Sequence, residues 1–214
     1  MNASISAQSI EAWLRKCADA YQQHRDELTG LDAAIGDGDH GVNMARGFSA
    51  VPAKLDTLKS KDIESLFRTT AMTLISQVGG ASGPLYGTFF LQAARPAHGK
   101  AELSLPELCT CFDSGLTGVV HLGKAALGDK TMVDALTPAL AALRAGEEDS
   151  VTTALERAIA AAREAAEATI PLVARKGRAS YLGERSAGHK DPGAASSVLL
   201  LETLASALRD EASP

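Results

Sequence analysis

Asp32, Asp37 and Asp39 fall within eight residues of one another, and His40 follows directly. They lie in Leu31-Asp32-Ala33-Ala34-Ile35-Gly36-Asp37-Gly38-Asp39-His40-Gly41, a glycine-rich acidic stretch that reads as a loop over 30–41. Carboxylates held so close repel one another, each pair costing about 4 kcal/mol at 4 Å and an effective dielectric of 20. A divalent cation removes that cost, and hard oxygen donors suit Mg²⁺ or Ca²⁺ rather than zinc. An EF-hand is excluded, because the twelfth position counted from Asp37 is Phe48 and not a glutamate. Mg²⁺ takes a few carboxylates and completes its shell with water and phosphate. The stretch also feeds a helix starting near Gly41, whose free N–H groups favour anions. Carboxylates alone would repel a phosphate there, whereas carboxylates with a metal would bind one. The plainer alternative is a solvated acidic turn in which Asp39 caps the helix.

Three further irregular segments hold unusual residues. Gly79-Gly80-Ala81-Ser82-Gly83 can present backbone N–H groups and a hydroxyl to phosphate oxygens, or can simply connect two helices. In Gly128-Asp129-Lys130-Thr131-Met132, Thr131 suits a helix N-cap, and Met132 can flank a purine ring. Residues 175–191 carry five Lys/Arg against two acids, a local charge of +3 in a chain of net charge −5. Arg178, Arg185, His189, Lys190 and Asp191 there can meet a phosphate or an acidic partner, or form a solvated surface loop. These segments are longer or more polar than helix connections require. The expectation is that loops 30–41, 79–84 and 123–131 converge with 176–193 on one site.

Two motif resemblances fail on context. Gly36-Asp37-Gly38-Asp39-His40-Gly41 has the G-x-G-x-x-G spacing, but no strand precedes it and its turn carries two aspartates. Gly118 to Ala125 nearly matches a P-loop, but Ala125 replaces the Mg²⁺-binding hydroxyl and the segment reads as a helix end. There is no G-x-S-x-G elbow, and His24, His98 and His121 have no evident partners in the sequence.

The elements that must position these residues are helical. The 214 residues are 45% hydrophobic but only 4% aromatic, and 39 alanines and 26 leucines favour helix. Helices are expected over 6–28, 41–58, 62–78, from Pro84 onward, 104–122, 132–145, 150–175 with a kink at Pro171, and 192–209. Ser104 and Glu107 form a capping box. About eight helices and no strand imply one all-α domain over residues 1–214. The acidic balance excludes a basic nucleic-acid face, so no nucleic-acid partner is expected. No run reaches the length of a membrane span, and residues 1–5 lack a signal-peptide pattern, so no membrane partner is expected. Three cysteines, Cys17, Cys109 and Cys111, fit neither a disulfide framework nor a zinc site, which points to a reducing cytoplasmic setting.

The four segments, with Leu85-Tyr86-Gly87-Thr88 and Gly177-Arg178-Ala179-Ser180-Tyr181-Leu182-Gly183-Glu184-Arg185-Ser186, then His189-Lys190-Asp191-Pro192-Gly193, resemble the nucleotide-binding L subunit of dihydroxyacetone kinase. The same module forms the C-terminal domain of single-chain dihydroxyacetone kinases. The resemblance spans 31–193 in the family order. It implies an all-α barrel of eight antiparallel helices with an adenine nucleotide, ADP or ATP, held at one end through two Mg²⁺ ions. It implies Asp32, Asp37 and Asp39 as metal ligands, and His40, Gly41, Asn43, Ala81 and Ser82 at the phosphates. It implies Gly123, Thr131, Met132, Arg178, Asp191 and Gly193 along the nucleotide pocket.

In that family the dihydroxyacetone is held on a separate K subunit through a covalent hemiaminal to a histidine. The resemblance therefore implies that this chain donates the phosphoryl group, with no nucleophile of its own. Standing alone, it looks like the phosphotransferase-system form, in which bound ADP is rephosphorylated by an M subunit from a phosphohistidine. Two alternatives stay open. One is an L-type subunit that exchanges free ATP and serves another ketose or a tetrose. The other is a nucleotide-loaded module that signals to a transcription regulator. The sequence leaves open whether the chain forms a homodimer.

Overall fold

The computed structural model describes residues 4–212. Ten α-helices lie among the described residues: α1 (Ala7–Gln23), α2 (Arg25–Ile35), α3 (His40–Ser49), α4 (Val51–Leu55), α5 (Ile63–Gln77), α6 (Ser82–Ala93), α7 (Leu105–Gly123), α8 (Met132–Ala145), α9 (Val151–Ala168) and α10 (Pro192–Ala212). A 3₁₀ segment covers Arg178–Ser186. A short antiparallel ribbon pairs β1 (Ile5–Ser6) with β2 (Glu102–Leu103), Ile5 opposite Leu103. Two residues per strand carry no readable period, which is why no strand was expected.

Side-chain caps set many of the helix starts. Ser65 N–H donates to Asp62 Oδ1 (2.8 Å) ahead of α5, and Ser104 N–H donates to the Glu107 carboxylate (2.7 Å) at α7. At α8 the box is reciprocal: Val133 N–H donates to Thr131 Oγ1 (3.1 Å) and Thr131 N–H to Asp134 Oδ2 (2.7 Å). Each cap satisfies donors that the helix itself cannot, worth about 1 kcal/mol.

Eight helices close a ring of neighbours, α1–α3–α5–α6–α7–α8–α9–α10 and back to α1. This bears out the all-α barrel. The ring buries nearly every aromatic ring of the chain. Trp13 stands between Phe67, Phe90 and Phe112, with centroids 5.7 to 6.2 Å away. Its indole N–H donates to the Leu200 carbonyl (3.0 Å), tying α1 to α10. Tyr21 stacks on Phe48 at 4.3 Å. No helix among the described residues is long and apolar enough to cross a membrane. All three cysteines are buried and free.

Several boundaries differ from the sequence reading. The expected helix over 6–28 is two helices, broken at His24, and the second runs through Gly30 to Ile35. A helical glycine costs only about 1 kcal/mol, and the apolar burial of Leu28 and Ile35 outweighs it. The first loop is therefore Gly36–Asp39 rather than 30–41, and Asp32 sits on a helix. The expected helix over 41–58 divides at Ala50 into α3 and α4, with a proline in the first turn of α4. Helix α9 stops at Ala168 rather than kinking at Pro171, because the residue before a proline disfavours the helical region. The longest of these helices is α10.

Candidate functional site

Helix α2 delivers Asp32 in its last turn, and the Gly36–Asp39 turn delivers Asp37 and Asp39. One carboxylate oxygen from each lies within 4.8 Å of the others. Asp32 is buried, and its Oδ2 accepts the N–H groups of Asp39 (2.9 Å) and His40 (3.1 Å), which folds the turn back over it. A side chain at Gly36 would place its Cβ 2.1 Å from Asp32 Oδ1, so glycine there leaves that oxygen its place. Arg178 Nη2 lies 3.0 Å from Asp37 Oδ2. One guanidinium against three carboxylates leaves a deficit of about two positive charges, which with an all-oxygen donor set fits a hard divalent cation.

The expected convergence of the four segments is borne out. They line one cavity of about 380 Å³. The N-termini of α3, α6, α8 and α10 all open on it, through His40, Ser82, Thr131 and Gly193. The starts of α3, α8 and α10 are capped within the chain by Asp32, Thr131 and Asp191 and that of α6 carries no side-chain cap, and four positive helix ends facing one space favour an anion there. Val119, Leu122, Met132, Val133 and Leu85 supply an apolar part of its lining. Gly123, Ala81, Arg178 and Asp191 also line it.

Gly41 and Asn43 do not line the cavity. A Cβ on Gly41 would fall 2.0 Å from the Arg25 carbonyl oxygen, so glycine lets α3 pack directly on α2. Asn43 lies behind Gly79 and accepts from Arg46 Nη2 (2.6 Å). Gly123 ends α7 and Ala125 lies between α7 and α8, with no strand–loop–helix unit there, which removes the P-loop reading. His24, His98 and His121 do not line the cavity; His24 pairs with Glu27 and His98 with Glu64.

His40 is buried between two hydroxyls, Nδ1 at 3.0 Å from Ser82 Oγ and Nε2 at 2.9 Å from Ser196 Oγ. Burial lowers its pKa, opposed by Asp32 and Asp39, so the ring is neutral at pH 7. Ser196 Oγ is also 2.7 Å from the Tyr86 hydroxyl, and Tyr21 donates to the Ser196 carbonyl (2.7 Å). Asp191 caps α10, accepting from Ala194 N–H at 2.7 Å. Burial pushes its carboxyl up to about 7 against that hydrogen bond, helped by the charges of Asp134 and Asp32 and opposed by Lys130.

Lys130, Tyr86 and Ser196 are the site residues that sequence reasoning passed over. Lys130 and Tyr86 stood inside the quoted motifs with no role, and Ser196 lies on an unremarkable turn of α10. Only the packing of α10 against the α3 and α6 starts brings these hydroxyls to His40.

A ring of helices that gathers four N-termini and an acidic triad around one cavity defines a helical domain suited to a metal-complexed phosphate. The chain belongs to the DAK2 domain family, which matches residues 34–206. It is 50% identical over 209 residues to the ADP-binding subunit DhaL of the PEP-dependent dihydroxyacetone kinase of Escherichia coli, covering 97% of this chain and 100% of that one. It is 42% identical over 192 residues to the ADP-binding subunit DhaL of the PTS-dependent dihydroxyacetone kinase of Lactococcus lactis, covering 90% and 93%. The dihydroxyacetone kinase of C. freundii in complex with AMP-PNP and Mg²⁺ superimposes with a TM-score of 0.72 at 28% identity. That match covers 96% of this chain and 35% of the larger one.

Proposed function

We propose that this chain, as one unit over 1–214, is the nucleotide-carrying, phosphoryl-donating subunit of a cytoplasmic dihydroxyacetone kinase. The observation that carries the reading is the meeting of Asp32, Asp37 and Asp39 with four helix N-termini at a cavity that also has an apolar lining. The names of the relatives support it: they are ADP-binding subunits of PEP- and PTS-dependent dihydroxyacetone kinases.

In this reading the three aspartates hold Mg²⁺, two ions in all. Held there, the metal would supply charge neutralisation to the phosphates of ADP or ATP and to the transferred group. Ala81 and Ser82 offer the N–H groups of the α6 start to the phosphates, and neutral His40 fixes the Ser82 hydroxyl. Gly41 and Asn43 act from behind, holding α3 on α2 and backing the Gly79–Gly80 turn. Gly123, Thr131, Met132 and Gly193 bound the base side with the apolar lining, Asp191 holds the start of α10, and Arg178 adds a guanidinium at the aspartates. No residue of the chain acts as a nucleophile, so catalysis here is positioning and charge neutralisation. Dihydroxyacetone is presented by a separate K-type subunit. An M-type phosphotransferase-system subunit rephosphorylates the resident ADP from a phosphohistidine.

The test is nucleotide retention. The purified chain is desalted and denatured, and the released nucleotide is identified by chromatography. Near-stoichiometric ADP is the expected result. An empty protein that binds ATP only on addition would instead make it an exchanging ATP-dependent subunit. A protein that binds neither nucleotide with Mg²⁺ present would overturn the reading.

A further inference from the structure

Lys130 is among the largest fully buried side chains of the molecule, at 1% exposure, yet it forms no ion pair among the described residues. Its ammonium donates to three backbone carbonyls, those of Ser186 (2.8 Å), Leu172 (3.0 Å) and Ile170 (3.3 Å). Three N–H donors meet three acceptors, so the group is saturated by backbone alone. The backbone of Lys130 is held in the left-handed region (φ 64°), which an L side chain adopts at a cost. A buried charge in strained backbone persists where the surrounding structure over-determines it.

The three carbonyls flank a single strap. Between Leu172 and Ser186 the chain runs through the 3₁₀ segment, which packs on α2. Its outer side chains are exposed, Tyr181 by 87%. Its base is closed by Ala174 N–H to Ser186 Oγ (2.8 Å), by Arg175 N–H to the Asp129 carbonyl (3.1 Å) and by the Lys130 ammonium reaching both ends. The strap carries Arg178 to Asp37. Lys130 is also the residue before Thr131, which caps α8 at the cavity. One side chain thus joins the cavity's α8 rim to the base of the segment that brings a guanidinium to the aspartates.

We propose that Lys130 is a positioning residue that clamps the base of the 172–186 strap and thereby holds Arg178 over the aspartate cluster. The inference rests on the reading of the cavity as a Mg²⁺–nucleotide site. Its first test does not need nucleotide. In the nucleotide-free full chain, Lys130→Met raises amide exchange across 174–188 selectively, leaving the amides of α1, α5 and α6 at their wild-type protection. The second test is Mg²⁺·ADP affinity by calorimetry in a double-mutant cycle with Arg178→Ala. Each single variant weakens binding about ten-fold, and the double variant is no weaker than Arg178→Ala alone. If Lys130→Met fails to fold, Lys130→Gln, which keeps two N–H donors, is read the same way. Unchanged exchange over 174–188 overturns the proposal, as does a loss of affinity that adds fully to that of Arg178→Ala. Should wild type bind no Mg²⁺·ADP, the functional reading falls, while the exchange result still decides whether Lys130 closes the strap.

Discussion

Asp32 and Asp37 reach the cluster by different routes, and the difference governs what their removal does. Asp32 is buried and accepts two backbone N–H groups, so it holds the turn as well as facing its neighbours. Asp37 is exposed and pairs with Arg178. Asp37→Ala is therefore expected to keep the fold and to abolish Mg²⁺-dependent ADP binding by calorimetry; full affinity in that variant would remove Asp37 from the metal site. Asp191 carries a pH dependence. Its carboxyl is raised from 3.8 to about 7 in the folded state, so between these values the folded chain keeps a proton that the unfolded chain has released. Stability from this group is therefore greatest at low pH and falls as pH rises toward 7. His40, whose pKa is lowered, acts in the opposite sense, gaining stability as pH rises toward 6.5. In metal- and nucleotide-free protein, Asp191→Asn should lose less stability than wild type between pH 5 and pH 7, read from urea midpoints.

At the scale of elements, two capping boxes of similar chemistry sit at different places. Thr131 caps α8 at the cavity, and Ser104 caps α7 away from it. Thr131→Ala and Ser104→Ala should each lower stability by about 1 kcal/mol in chemical denaturation. Only Thr131→Ala should also weaken nucleotide binding, because it frees the turn that presents Met132. Equal affinities in the two variants would mean that the α8 start does not meet the ligand. The break at His24 shows how an element boundary makes the site. A continuous first helix would carry Asp32 away along its own axis. Two helices fold back, and Gly41 lets α3 approach α2 until Asp32 accepts from the α3 start.

At the scale of the molecule, the site is a seam where four helix starts meet, so occupancy should stabilise the whole ring. Mg²⁺ with ADP at a hundred times Kd should add about 2.7 kcal/mol to the unfolding free energy. The rise in Tm should need both components and should vanish with a chelator. A shift from ADP alone, undiminished by the chelator, would place the nucleotide without the metal. Trp13 and the buried phenylalanines belong to one continuous apolar core inside the ring. The cavity, by contrast, carries clustered carboxylates, which an apolar core could not tolerate.

The all-α class, the acidic triad and the capped starts of α5, α7 and α8 were legible in the residues, because each depends on near neighbours: composition, helical period, and side chains reaching three positions along the chain. The four segments were recognisable as unusual, but their meeting is a property of ring closure between residues more than a hundred positions apart, such as His40 and Ser196. The boundary at Gly30 depended on burial weighed against local propensity, which tertiary packing decides, whereas the stop before Pro171 follows from the proline itself. Lys130 shows the limit best. Its sequence setting reads as a polar turn, and only the fold surrounds its ammonium with the carbonyls of residues forty to fifty-six positions downstream.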